Sequence, residues 1–262
     1  METSDVTKTL LSLIAVLMVT TAFTPAKAEG LTDDQKKEIN TLIEAYIKEN
    51  PKVMLDSVVK YQEDMAKAEE EKMNAGVKNL VPSLKDYPHL PITGNEKGDV
   101  TVVEFFDYNC GYCKRGYETV QKMLDEDKKV KMVFVDLPIL GPQSHEVSKW
   151  ALAAAKQNKY FEYHQQLMKF TGNKDDKTLE KLAKDAGIDI AKLKKDKDDP
   201  SIEEQITKNQ ELAKTISVQG TPAFVVNDQI VRGYLEIDAM KEMIKDVRNP
   251  GEKKDEDKKS AE

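Results

Sequence analysis

Cysteine is almost missing from this chain: Cys110 and Cys113 are the only thiols in 262 residues. A structural zinc site takes four ligands, and no second cysteine pair is present to complete one. His89, His145 and His164 show no ligand-like spacing, so no metal site is expected. No Met-x-x-Met or histidine cluster lies near the thiols, which leaves copper handling as a minor option although two soft ligands suit that ion. Basic charge is not in excess: the net charge is −7, which argues against a general nucleic-acid binder and for a soluble, charged surface. After Phe23 no stretch is apolar enough to span a bilayer. Internal repeats are also lacking.

The apolar run from Leu10 to Phe23, broken only by Ser12, Thr20 and Thr21, is short for a membrane span. Pro25 breaks it, and Ala26-Lys27-Ala28 has the small-x-small pattern of a signal-peptidase site. Cleavage is predicted after Ala28, with the mature chain starting at Glu29. Glu2 and Asp5 against Lys8 make a weakly charged start, so a misassigned start codon or an uncleaved anchor stays open. Export changes the meaning of the cysteines. Exported proteins normally use them as disulfide staples, but a mature chain of this length can bury a core without one. Two thiols three residues apart would also close a loop too small to stabilise much. A working redox pair is the better reading.

The surroundings of the pair support it. Val100 to Phe106 reads as a buried strand. Asp107-Tyr108-Asn109 is a polar turn, and after the cysteines Tyr117, Val120, Met123 and Leu124 recur at helical spacing. Cys110 therefore sits where a strand ends and a helix begins. Unpartnered backbone amides and the helix dipole there favour a thiolate, so Cys110 reads as a nucleophile.

Ahead of the pair, Leu31 to about Val81 reads as helical. Thr32 and Gln35 form a capping box. Ile39, Leu42, Ile43, Tyr46 and Ile47 make one apolar stripe, which serves either core packing or self-association. Asn50-Pro51 is predicted to start a second helix with Asn as N-cap. It carries Val53, Met54, Leu55, Val58 and Val59, then becomes charge-rich. Pro82 to Asn95 is turn-rich, and Val130 to Leu137 is predicted as a second strand, closing a right-handed βαβ unit. Pro138 to Ser144 reads as a loop. Helices follow over His145–Gln157, Tyr160–Phe170, Leu179–Ala186 (with Gly187 as C-cap) and Ile202–Ile216. Val218 to Val226 contains Gly220-Thr221-Pro222-Ala223 and turns at Asn227-Asp228 into Ile230-Val231. The last helix, Ala239 to Val247, is expected to be capped by Asp238. Residues 249–262 carry mixed charge and no large apolar side chain, a composition expected to be disordered.

Phe105-Phe106-Asp107-Tyr108-Asn109-Cys110-Gly111-Tyr112-Cys113 together with Gly220-Thr221-Pro222-Ala223 resembles the DsbA-like thioredoxin-fold oxidoreductases, over roughly Ile92 to Val247. The helical leader resembles that of the ScsC-like, Com1-like branch. The resemblance implies an α/β thioredoxin fold with an inserted helical domain. It divides the chain into a signal peptide (1–28), a helical oligomerisation or linker region (29–81), the thioredoxin domain (82–248, insertion about 144–216) and a charged tail (249–262). It makes Cys110 the attacking thiolate and Cys113 the resolving thiol. Gly111, Tyr112, Thr221 and Pro222 become substrate-binding positions, the last two as a cis-proline loop that pairs with an extended client segment. Glu104 becomes a proton acceptor for Cys113, against the alternative of an outward-facing surface residue.

The expected activity is thiol–disulfide exchange on protein clients, without a cofactor. Gly-Tyr between the cysteines and Thr before the proline also occur in DsbC-type isomerases, so isomerase or reductase is favoured over oxidase. A non-enzymatic chaperone or surface antigen on the same scaffold is the alternative from another class. Expected partners are cysteine-containing proteins, a membrane redox partner and further copies of the chain. A trimer through Ile39, Leu42, Ile43, Tyr46 and Ile47 is favoured. The expected location is the periplasm, with association to the outer membrane open.

Overall fold

A computed structural model describes residues 30–251. The expected signal segment with its cleavage site after Ala28, and the tail from residue 252 onward, lie outside the described residues.

Nine α-helices, a short 3-10 helix (Leu84–Asp86) and five strands occur among the described residues, and the chain divides into two compact units, one ending at Gln62 and the other beginning at Glu63. The first holds α1 (Asp33–Glu49) and the start of α2 (Pro51–Ser83). Thr32 and Gln35 form the capping box reciprocally, side chain to backbone in both directions. Asn50, just before α2, has a second role. Its side-chain amide donates to the Tyr46 carbonyl at 2.9 Å, so it also closes α1, while its carbonyl accepts the Val53 amide at 3.1 Å in the first turn of α2. No residue of α1 is buried.

The second unit begins inside α2, about twenty residues before the expected boundary. Val77 and Leu80 of α2 are buried with Leu212, Ala213 and Ile216 of α8 (Pro200–Thr215) and its C-cap. Gly76 lets the helices meet, because a Cβ there would collide with the Thr215 carbonyl.

The sheet has the order β1-β3-β2-β4-β5, from β1 (Ile92–Gly94), β2 (Val100–Phe106), β3 (Val130–Asp136), β4 (Ala223–Val226) and β5 (Gln229–Arg232). β2 and β3 are parallel in register Val100↔Val130 and are joined by α3 (Gly111–Glu126), the expected βαβ unit. β1, β4 and β5 pair antiparallel. Both faces of β2 are covered. Val103 and Phe105 pack on the α2/α8 side, whereas Val102 and Phe106 pack with Tyr117, Val120 and Met123 of α3. Each large apolar side chain buried this way contributes about 1.5–3 kcal/mol.

The insertion comprises α4 (Pro142–Ala155), α5 (Tyr160–Lys169), α6 (Asp176–Asp185), α7 (Ile190–Asp196) and α8, and α9 (Ile237–Arg248) closes the fold. Three details correct the sequence reading. α4 starts at Pro142, inside the expected loop, because proline suits a first helical position. α7 was not expected, its one buried residue being Leu193. Glu236, not Asp238, is the N-cap of α9 and makes no side-chain cap bond.

Candidate active site

Cys110 is the N-cap of α3, and its sulfur accepts the Cys113 backbone N–H at 3.4 Å. Across the site its thiol donates to the Thr221 carbonyl at 3.3 Å. The thiol pKa is pushed down to about 5. Contact with the Cys113 thiol is the largest cause and burial opposes it, while the Thr221 side chain and the Cys113 and Tyr112 amides lower it further. Cys113 is the opposite case. Its side chain has no exposure, and burial, then the Cys110 contact, then the Glu104 charge push its pKa far up. Both are free thiols. One sulfur is built to ionise and the other to stay protonated.

The Thr221–Pro222 peptide is cis. Pro222 is buried, and its carbonyl accepts the Gly233 amide at 2.8 Å, tying the loop to the end of β5. A shallow cavity of about 350 Å³ runs along Gln219, Gly220, Thr221, Pro222 and Arg232. Gly111 and Tyr112 are exposed. The Arg115 guanidinium lies 5.6 Å from the Tyr112 ring centre and 5.4 Å from that of Tyr234. Ile139 and Leu140, after β3, are exposed apolar residues.

Glu104 is fully buried, on the β2 face that carries Val102 and Phe106, so the outward-facing alternative fails. Neither carboxylate oxygen has a hydrogen-bond partner. α3 passes close above through Gly116, whose added Cβ would lie 3.5 Å from Glu104 Oε1. Burial, then the charge of Cys110, push the Glu104 pKa up to about 8. Such a group is mostly protonated at neutral pH and exchanges a proton just above it.

Asp107, Asn109, Ser144 and Lys174 also surround the pair, and only the first two lay in the quoted motif. Asp107 is fully buried, and its amide donates to Cys113 Sγ at 3.5 Å. A turn-forming Asp three residues before a thiol was a usable signal. Lys174 had none, since it sits in a charged loop like many others. Among the described residues no group of three or more His, Cys, Asp or Glu could hold a metal ion.

Residues 85–246 match the family model described as Thioredoxin, and residues 35–68 match the Copper resistance protein ScsC N-terminal domain. A probable disulfide bond formation protein D of Bacillus cereus is 32% identical over 167 residues, 58% of this chain and 75% of that protein. The Na(+)/H(+) antiporter NhaA 3 of Salinispora tropica is 28% identical over 163 residues, 62% of this chain, and the match spans 25% of the antiporter's length. Among solved structures, a thioredoxin-like oxidoreductase from Silicibacter pomeroyi is similar at 38% identity and TM-score 0.61, covering 63% of this chain and 96% of that one. The catalytic domain of Proteus mirabilis ScsC is similar at 27% identity and TM-score 0.58, covering 65% and 97%. Among the described residues no helix is long and apolar enough to cross a membrane.

Proposed function

The chain belongs to the thioredoxin family, in its DsbA-like ScsC branch, and on that premise we propose that it is an exported, periplasmic thiol–disulfide oxidoreductase that rearranges or reduces disulfides in protein clients. The observation that carries this is the asymmetry of the two sulfurs, one pushed down to about 5 and the other far up. Cys110 thiolate attacks a client disulfide, forming a mixed disulfide and releasing one client thiolate. If a second client thiolate attacks the client-side sulfur, Cys110 leaves and the client is reshuffled. If Cys113 attacks Cys110 instead, the Cys110–Cys113 disulfide forms and the client leaves reduced. Thr221 and Pro222 flank the reacting sulfur, where an extended client segment can pair with backbone groups.

A second reading has its own support. A low Cys110 pKa stabilises the reduced protein and so makes the oxidised form a stronger oxidant, the direction required of a disulfide-forming enzyme. Isomerisation is preferred for the Gly111-Tyr112 pair with Thr221 and for the leader. Leu42, Ile43 and Tyr46 are half or more exposed, and Ile39 and Ile47 nearly 40%. Such a stripe fits a second and third copy of the chain, and a trimer would hold clients between active sites. A membrane redox partner would return the pair to its working state.

The test compares the wild type with Leu42→Lys/Tyr46→Lys in insulin reduction and in reactivation of scrambled ribonuclease, with sedimentation equilibrium alongside. Loss of assembly and of reactivation, with insulin reduction retained, is expected. Equal reactivation by a monomeric variant overturns the oligomeric isomerase.

A further inference from the structure

Four polar side chains from three segments form one continuous hydrogen-bond chain that ends at the redox pair. Lys174, in the loop between α5 and α6 and only 4% exposed, donates to Asn109 Oδ1 at 2.9 Å. Asn109 Nδ2 donates to Ser144 Oγ at 3.0 Å, and Ser144 Oγ donates to Asp107 Oδ1 at 2.8 Å. The same Asp107 oxygen accepts the Asn109 amide at 2.7 Å. The other accepts the Ile139 and Leu140 amides at 2.9 and 3.0 Å. The Asp107 backbone faces both cysteines, its N–H directed at Cys113 Sγ and its carbonyl accepting the Cys110 amide at 3.0 Å.

Charge orients the chain. A cation at one end and a carboxylate at the other make every neutral link donate in the same direction, and bonds aligned this way polarise one another. Each end also answers a need of the other. A wholly buried carboxylate requires donors or a counter-charge. Burial, followed by neighbouring Lys114, brings the Lys174 pKa down to about 8, and attraction to Asp107 opposes that fall.

We propose that Lys174 and Asp107 are positioning residues for the resolving step, the two ends of one relay that holds the Asp107 amide against Cys113 Sγ. The inference rests on the thiol-exchange reading above. An N–H aimed at a sulfur favours its thiolate, and the thiolate is the form that attacks the mixed disulfide. The groups that lower Cys110 are different ones: the Cys113 thiol, Thr221 and the amides of residues 112 and 113. Disturbing the relay therefore slows the second sulfur and spares the first.

Stopped-flow reaction of the reduced full chain with Ellman's reagent separates the two steps. Cys110 thiolate attacks the reagent disulfide, forming an aryl mixed disulfide and releasing one thionitrobenzoate. Cys113 gives up its proton and attacks Cys110. The Cys110–Cys113 bond forms, a second thionitrobenzoate leaves, and the two thiols have supplied the two electrons. Each pKa unit on Cys113 changes its thiolate fraction tenfold. Lys174→Met and Ser144→Ala are each expected to slow the second phase about tenfold, with the first phase little changed. Lys174→Met/Asp107→Asn should be no slower than Asp107→Asn alone, because one relay can be broken only once. Ser144→Ala keeps both charges and suits a helix, so it carries the test if the other variants do not fold. An unchanged second phase in Ser144→Ala, or multiplied effects in the double variant, overturns the inference. A wild type without a fast first phase removes the nucleophile reading, and this inference with it.

Discussion

Cys110 Sγ and the carbonyl oxygen of Thr221 lie 3.3 Å apart although 111 residues separate them in the chain. The sheet makes this possible. β2 delivers Cys110 at its end, β4 starts just after Pro222, and the two strands pair antiparallel from Phe105↔Ala223. The placement of the Cys110 sulfur and of the cis-proline loop is thus set by the register of two central strands.

Thiolate ultraviolet absorbance should place the Cys110 titration near pH 5, far below the ordinary 9.0. A depressed folded-state pKa has a stability consequence with a definite sign. The contribution is fully present above 9.0 and is lost as pH falls through about 5. Reduced wild type should therefore gain stability relative to Cys110→Ser as pH rises through that window. A titration near the ordinary thiol value would remove the basis for calling Cys110 the nucleophile.

Cys113→Ala should leave Cys110 able to attack and unable to be released from within the chain. Mixed disulfides with client proteins should then accumulate on non-reducing gels. Cys110→Ala should form none and should lose disulfide exchange, whereas suppression of client aggregation that survives in Cys110→Ala would favour the chaperone alternative.

The parts legible in the sequence were those with a period or a motif. β2, α3 and β3 repeat apolar residues at strand or helix spacing, and Cys110, Cys113 and Thr221-Pro222 carry short signatures. β1 was hidden because three residues among Pro91, Gly94 and turn formers have no measurable period. α2 was legible as a helix to about Val81, but the seating of its second half on α8 was hidden by its charge: only Val77 and Leu80 are buried in it, too few to outweigh the polar run before them. Lys174 was beyond reach for another reason. Polar partners joined through Asn109 and Ser144 leave no pattern in either local stretch.

Gly76→Ala tests the packing of α2 against α8. Alanine is the better helix former by about 1 kcal/mol, so an exposed site would be stabilised. Here the new Cβ would collide with the backbone carbonyl of Thr215, which cannot rotate away. Urea unfolding should show a net loss of about 1–3 kcal/mol, the usual cost of overpacking. A gain would mean that α2 does not seat on α8.

Glu104→Gln should alter both stability and chemistry, with opposite signs. The carboxyl pKa is raised from 4.5 to about 8 by burial and then by Cys110. A raised folded-state value means a contribution present below 4.5 and lost as pH rises through about 8, because folding must carry a proton into the core. The variant has no such proton to bind, so its advantage over wild type should open above pH 4.5 and level off above 8. Roughly 1–3 kcal/mol is expected there, the linkage gain being offset in part by a buried amide without partners. Chemistry should move the other way. Ionised Glu104 can take the Cys113 proton, so the resolving rate of wild type should rise as pH passes about 8. Glu104→Gln should lose that inflection and resolve more slowly at alkaline pH. A variant that resolves with the wild-type pH profile would reduce Glu104 to a destabilising charge with no part in proton transfer.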